Sequence, residues 1–185
     1  QTCALPISLS IMVHASRKAA SLGDVFKSGG TVAMQKGLAF ARMLEKKYGF
    51  DKVKIVPSPG GDVTTFLHDP MFAQQCYLTA EPLVAKHQGA DVQVFRIADE
   101  GFDPYSSMMA TSGDYLRKNP ETVAAMVAAV REGIRAYLDD PKPTNQRMNA
   151  LNPSMSLDVF AEAAEAQRPL VETEEAKRTG LGSMT

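Results

Sequence analysis

Apolar and polar positions in the first half of the chain alternate between two periods. Short apolar runs typical of β-strands are separated by stretches with the spacing of amphipathic helices. The strand-like runs fall at 9–14, 31–34, 53–56, 75–79 and 92–97, and the helix-like stretches at 21–27, 38–48, 63–67 and 81–87. This alternation predicts an α/β fold in which a mostly parallel sheet carries helices on its faces.

After residue 99 the pattern becomes mainly helical. A turn at 101–104 leads to one more predicted strand at 106–111. Asn119 is a favourable N-cap, and Pro120 suits the first position of a long helix. Later prolines separate further helical pieces. The apolar residues of the long helix recur on one face, which we interpret as core: Val123, Met126, Val127, Val130, Ile134 and Tyr137.

We interpret the first seven residues as foreign to the natural protein. Gln1 to Ile7 can be back-translated into a string that resembles the end of a common DNA-sequencing adapter. We therefore expect them to be an artefact that packs against nothing, and we expect the natural chain to be longer at both ends. With Cys3 set aside, Cys76 is a single thiol, and we expect it to act as a small buried hydrophobe.

Composition and motifs narrow the function classes. The chain is 44% hydrophobic with a formal net charge of −1, which argues against nucleic acid as its partner. The sequence contains no Gly-x-Ser-x-Gly motif, no phosphate-binding Lys-Ser/Thr loop and no paired-cysteine site. We therefore predict no catalytic residue, no metal ligand and no cofactor. Of the three histidines, His14 is a candidate ligand contact because it ends a predicted strand.

Three loops that follow predicted strands carry the most useful chemistry. Each leads into a helix N-terminus, where unpaired backbone N–H groups favour a polar or anionic acceptor. Ordinary turn and capping chemistry explains each loop taken singly, but three in succession favour a shared cleft. No arginine stands in these loops. The candidate ligand-binding residues there are Gln35, Lys36, Gly37, Ser58, Gly60, Thr79 and Glu81.

The order of these motifs resembles a known family. The segments that carry the likeness are Ser21 to Ala33, the Gln35-Lys36-Gly37 loop, Lys46 to Asp51, Gln74 to Pro82, Gly101 to Tyr105 and Asn119 to Val123. Together they resemble the solute-binding proteins of ABC importers in the nitrate, sulfonate, taurine and thiamine-pyrimidine group. The likeness covers residues 8–185.

The resemblance implies a two-lobed type II periplasmic-binding-protein fold that closes on its ligand. Residues 8–28 would end the first lobe and cross the hinge, 29–100 would form the second lobe, and 101–185 would return to an incomplete, mostly helical first lobe. Tyr105 would then lie near the hinge and stack on the ligand, while Glu81 would accept from an amine or a ring nitrogen. This pair suits a heteroaromatic solute.

The resemblance also implies partners and a location. A protein of this group would deliver a small solute to the permease and ATPase subunits of an importer. It would be periplasmic, or anchored to the membrane on its extracytoplasmic side. Two alternatives of the same fold stay open. One is an enzyme of thiamine-pyrimidine synthesis that uses pyridoxal phosphate, for which His14 and Lys36 would be the reactive candidates; the other is a ligand-sensing domain.

Overall fold

The computed structural model describes residues 4–5, 9–104 and 107–181, and the chain separates into two compact units. The first, here called the α/β unit, comprises Ser8–Pro104. The second, the helical unit, comprises Gln1–Ile7 and Tyr105–Thr185. Tyr105 and the remainder of the Gln1–Ile7 segment beyond Ala4–Leu5 lie outside the described residues.

The strands are short and mostly fall in the α/β unit. They are β1 (Ala4–Leu5), β2 (Leu9–His14), β3 (Thr31–Ala33), β4 (Lys54–Val56), β5 (Phe72–Tyr77), β6 (Val92–Arg96) and β7 (Ser107–Met108).

The helices divide between the two units. They are α1 (Leu22–Lys27), α2 (Ala39–Tyr48), α3 (Thr64–His68), α4 (Glu81–His87), α5 (Gly113–Lys118), α6 (Pro120–Asp139), α7 (Lys142–Leu151), α8 (Leu157–Val171) and α9 (Glu174–Thr179). None of the helices in the described ranges is long and apolar enough to cross a membrane.

One five-stranded sheet organises the α/β unit, in the order β4-β3-β5-β2-β6. Strand β3 runs parallel to β4 and β5, whereas β2 runs antiparallel to both of its neighbours, β5 and β6. The four strands between residues 29 and 100 therefore share one direction, as the alternation of strands and helices predicted.

The position of β2 adds detail to the boundaries that the resemblance implied. Residues 8–28 were expected to end the first lobe and cross the hinge, and β2 within them is an inner strand of this sheet. The physical reason lies in its sequence: Ile11, Met12 and Val13 are adjacent, point to alternating faces and are all 0% exposed. A strand that is apolar on both faces needs cover on both, and an inner position supplies it.

Helices cover both faces of this sheet. On one face Leu22, Phe26 and Leu44 from α1 and α2 pack with Ile11 and Val32. On the other face Phe66 of α3 and Ala85 of α4 pack with Met12, Ala33 and Cys76. Cys76 is buried as predicted, and burial raises the pKa of its thiol well above the usual value. The result is a helix–sheet–helix sandwich that fixes the strand ends.

The helical unit corrects two expectations. Ala4–Leu5 pair antiparallel with Ser107–Met108, so this part of the first seven residues does not stand free of the fold. In α6 only Val127 and Leu138 are buried, and Met126 of the predicted core face is 56% exposed. Within the described residues the only sheet of this unit is that two-residue ladder, so no broad sheet covers the apolar face of α6.

Candidate functional site

The carboxyl ends of three neighbouring strands meet at one edge of the five-stranded sheet. Ala33 of β3 stands opposite Val56 of β4, so the loops after these two strands begin side by side. Ala33 also stands opposite Gln74 of β5, and β5 runs on from there to Tyr77 at the same edge. In open α/β sheets this is the edge at which ligands bind. Seven of the nine predicted residues lie in these loops or at the first residue of α4: Gln35, Lys36, Gly37, Ser58, Gly60, Thr79 and Glu81.

The loop after β3 opens into a cavity of about 340 Å³. Gly37 has a φ of +83°, which favours glycine, and its α-carbon faces open space. Helix α2 begins two residues later without a side-chain cap, so the N–H groups of its first turn have no side-chain partner at the cap. The residues that line the cavity are Met34, Lys36, Gly37, Ala41, Arg42, Glu45, Phe50 and Ile55.

Two cations stand beside this helix start. Lys36 belongs to the predicted loop. Arg42 lies one turn into α2 and was not predicted from the sequence, because no arginine stands in the loops themselves. The helical spacing that brings Arg42 into the cavity was readable from the sequence. The carboxylate of Glu45 also lines the cavity and offsets one of these two charges. The remaining positive charge and the positive end of the helix dipole favour an anionic or acceptor-rich group there.

The loop after β4 is folded on itself by side-chain hydrogen bonds. The Gly60 N–H donates to Ser58 Oγ at 3.3 Å, and Asp62 Oδ1 accepts from both the N–H and the hydroxyl of Thr64, at 2.8 and 2.6 Å. These bonds from Thr64 lower the pKa of the Asp62 carboxyl. Asp62 thus holds Thr64, the first residue of α3, but the N-cap position is Val63 and has no side-chain hydrogen bond. The helix begins one residue later than expected.

The turn after β5 is closed by Glu81. Its side chain is buried, and Oε2 accepts the Tyr77 N–H at 2.8 Å. Burial raises the pKa of this carboxyl, while the hydrogen bonds from backbone N–H groups lower it by less. Thr79 lies half-buried within the turn itself, because β5 ends at Tyr77 rather than at the predicted position 79. The Glu81 carboxylate thus already accepts a hydrogen bond from the protein itself, without a ligand.

Two buried glutamines complete this edge, and sequence reasoning missed their role. Gln74 and Gln75 are 0% and 7% exposed, although they lie in an otherwise apolar strand. Gln75 Oε1 accepts the Gln35 N–H at 2.9 Å, and Gln74 Nε2 donates to the backbone oxygen atoms of Gly60 and Asp62. The signal that could have revealed them is a pair of adjacent amides inside a strand.

His14 lies apart from the three loops, and its role as a ligand contact stays a prediction. It is paired with Val92, the first residue of β6, and therefore lies at the opposite edge of the sheet. Its ring stacks on Phe66 at a centroid distance of 4.2 Å, and its Nε2 donates to the Phe66 carbonyl at 2.5 Å. The sequence could not show that β2 runs against its neighbours, which reverses the edge that its last residue faces.

No cluster of three or more potential metal ligands among His, Cys, Asp and Glu occurs in the part of the chain that the structure describes. The remaining predicted residue, Tyr105, lies outside the described residues. The site as described therefore consists of the three loops, the uncapped start of α2 with two cations near it, and the buried side chains that hold the loops.

Comparison with solved structures supports the fold. The chain is similar to a structure described as periplasmic sulfonate-binding protein SsuA, assigned to a sulfonate ABC transporter, from Methylobacillus flagellatus KT. The TM-score is 0.57 at 17% sequence identity, and the match covers 89% of this chain and 52% of the other. This chain thus spans about half the length of that protein. At this identity the likeness concerns the fold, which is the α/β fold of periplasmic binding proteins.

Comparison by sequence gives the family. None of the curated proteins matches this sequence. The family model described as NMT1/THI5 like matches residues 9–144, which include the whole described sheet of the α/β unit and its three candidate loops. This match extends over well over half of the chain and agrees with the motif order noted above. The chain belongs to the NMT1/THI5-like family.

Proposed function

We propose that this chain is part of the substrate-binding component of an ABC importer and that it captures a small polar or heteroaromatic solute. The observation that supports the proposal is that the loops after β3, β4 and β5 leave the sheet at one edge, and that the loop after β3 opens into a cavity beside the start of α2. The chemistry there is that of binding: backbone donors, two cations and a space of ligand size.

The ligand contacts follow from the loop geometry. Lys36, Gly37 and the first N–H groups of α2 would bind an anionic or acceptor group of the solute, assisted by Arg42. Ser58 and Gly60 would border the same edge from the loop after β4. Tyr105 would stack on a ring, as the resemblance implies. Glu81 would act chiefly by holding the turn that contains Thr79, since its carboxylate already accepts the Tyr77 N–H.

The wider role rests on the family and on the fold. The protein would work outside the cytoplasm and deliver its solute to a membrane permease driven by an ATPase. Support comes from the NMT1/THI5-like match and from the likeness in fold to a protein described as periplasmic and sulfonate-binding. A sulfonate and an aminopyrimidine are accordingly the two solute chemistries to compare.

One observation weighs against the enzymatic alternative. That alternative needs Lys36 and His14 to act on one bound cofactor, but they lie at opposite edges of the sheet. Their separation favours binding without covalent chemistry.

The test uses the complete product of the gene from which this sequence comes. Taurine and 4-amino-2-methylpyrimidine are screened by thermal shift, because a ligand at 100 times its dissociation constant adds about 2.7 kcal/mol of stability. Lys36→Met should weaken binding of the stabilising compound about tenfold. Lys46→Met, at the exposed far end of helix α2, is the matched control.

Equal affinities for the two lysine variants would contradict the assignment of the site. Consumption of pyridoxal phosphate by the purified protein would replace the binding function with the enzymatic one.

A further inference from the structure

Gln74 and Gln75 are adjacent on β5, near the carboxyl edge of the sheet, and both are buried. Successive side chains of a strand point to opposite faces. Gln74 accordingly shares a face with Phe72 and Cys76, which pack under α3 and α4, while Gln75 shares the other face with Ala73. Two neighbouring amides thus reach two different sides of the same sheet.

Each amide holds a different ligand loop. Gln75 Oε1 accepts the N–H of Gln35, the first residue after Met34 in the loop that leads to α2, at 2.9 Å. Gln74 Nε2 donates to the Asp62 carbonyl at 2.9 Å and to the Gly60 carbonyl at 3.3 Å, in the loop that leads to α3. One inner strand therefore connects both loops of the candidate site to the core.

Burial makes these contacts informative. An amide in an apolar interior is unfavourable unless its polar atoms are paired, and an apolar side chain of similar size would fill the same space. Gln74 Oε1 has no hydrogen-bond partner among the described residues. Burying Gln74 therefore costs folding free energy that an apolar side chain would not cost. What its hydrogen bonds do in return is hold the Gly60–Asp62 backbone in place.

We propose that Gln74 and Gln75 are positioning residues that set the loops at 35–37 and 58–62 in their binding conformation; their importance for a solute rests on the proposed function. The two residues have opposite hydrogen-bonding roles. Gln74 works as a donor to carbonyl oxygen atoms, and Gln75 works as an acceptor of an N–H group. The same substitution should therefore have opposite effects at these adjacent positions.

Glutamate distinguishes the two roles. Gln75→Glu keeps an oxygen that accepts the Gln35 N–H. Gln74→Glu places a carboxylate against two carbonyl oxygen atoms, which repel it until it is protonated and can donate again. The effect of Gln74→Glu should therefore disappear as the pH falls from mildly alkaline to mildly acidic. Burial alone would also give a glutamate such a pH dependence, so the positioning role is distinguished by a loss confined to the Gly60–Asp62 loop.

The experiment is amide hydrogen exchange of the ligand-free, full-length protein, expressed as protection relative to an unstructured chain at each pH. Gln75→Met should expose the Gln35 N–H about tenfold more often, and Gln74→Met should do the same for the Gly60 and Thr64 N–H groups. Gln75→Glu should keep the protection of Gln35, whereas Gln74→Glu should lose that of Gly60 and Thr64 until it is protonated.

Gln93→Met is the matched control. Gln93 also donates its side-chain Nε2 to a loop carbonyl, that of Ala19 at 2.9 Å, but it lies near the opposite edge of the same sheet. It should leave both ligand loops protected as in the wild type. Unchanged loop protection in Gln74→Met and Gln75→Met, or the same loss in the Gln93→Met control, would overturn the proposal.

A taurine titration of the same proteins separates this proposal from the proposed function. Weaker taurine binding in Gln74→Met and Gln75→Met, together with faster loop exchange, would support both. Changed loop exchange in a protein whose wild type binds neither taurine nor an aminopyrimidine would support the positioning role and count against solute binding.

Discussion

Gly30 is the glycine of the described residues at which an added methyl group would make the shortest contact. It immediately precedes β3 with a φ of +89°, and a Cβ there would lie 2.3 Å from the Met71 carbonyl oxygen. Contacts of a Cβ under 3.0 Å essentially never occur. The same carbonyl accepts the Thr31 N–H at 3.2 Å, at the start of the pairing between β3 and β5. Gly30→Ala should therefore push these two strands apart.

The expected loss of stability has two parts. A residue with a Cβ in a left-handed conformation costs about 1–2 kcal/mol. Separating the strands enough to relieve the contact also weakens the Thr31 hydrogen bond and the packing around it, which adds about 1–2 kcal/mol. Gly30→Ala should accordingly lower the free energy of unfolding by about 3 kcal/mol.

The neighbouring Gly29 provides the control. Its φ is +83°, but a Cβ there would meet only the Lys52 carbonyl oxygen at 3.7 Å, an ordinary contact. Gly29→Ala should therefore cost only the backbone part. Urea unfolding of both variants gives the comparison, provided that the slope against denaturant stays the same. If the two variants differ by less than about 0.5 kcal/mol, the close approach of Gly30 to β5 is not as described.

Other consequences of the structure can be tested in the same way. Phe66→Ala removes a fully buried ring between α3 and the sheet and should cost about 3–5 kcal/mol in the free energy of unfolding, measured in urea. Val127→Asp should unfold the helical unit because it buries an unpaired charge, whereas Met126→Asp, at a 56% exposed position, should melt near the wild type; equal melting temperatures would contradict that orientation of α6. Because burial raises the pKa of Glu81, the folded chain holds this proton more tightly than the unfolded chain, so stability should fall as the pH rises from the ordinary glutamate range through the raised pKa. Glu81→Gln keeps an acceptor and should remove that fall, and an identical pH dependence in both proteins would show that another group causes it.

Helix α4 shows what the sequence determined alone. Its predicted bounds, 81–87, agree with the structure. Glu81 and Pro82 favour the first turn of a helix, and Gly89 follows its end with a φ of +89°. Such signals act between residues that are neighbours along the chain. The alternation of strands and helices, the shared direction of four strands and the burial of Cys76 were predictable for the same reason.

Strand β5 shows where local signals end. Its apolar run suggested 75–79, but the strand is Phe72–Tyr77, because its limits are set by pairing with β3 and β2. The shift moves Thr79 into a turn and puts Gln74 and Gln75 inside the strand. Nothing near these glutamines in sequence shows that they bond to loops 40 and 12 residues away.

The direction of β2 and the exposure of the α6 face were likewise decided only by the tertiary structure. The last residue of β2 looked like a residue at the ligand edge, but β2 runs antiparallel to its neighbours and carries His14 to the other edge. The apolar face of α6 looked like core, but burial depends on what packs against a helix, and Met126 is exposed. The sequence by itself determined the local elements and the loops that carry polar chemistry. Which of those loops meet, and which side chains hold them, depends on contacts between residues far apart in the chain, and only the folded structure decides these.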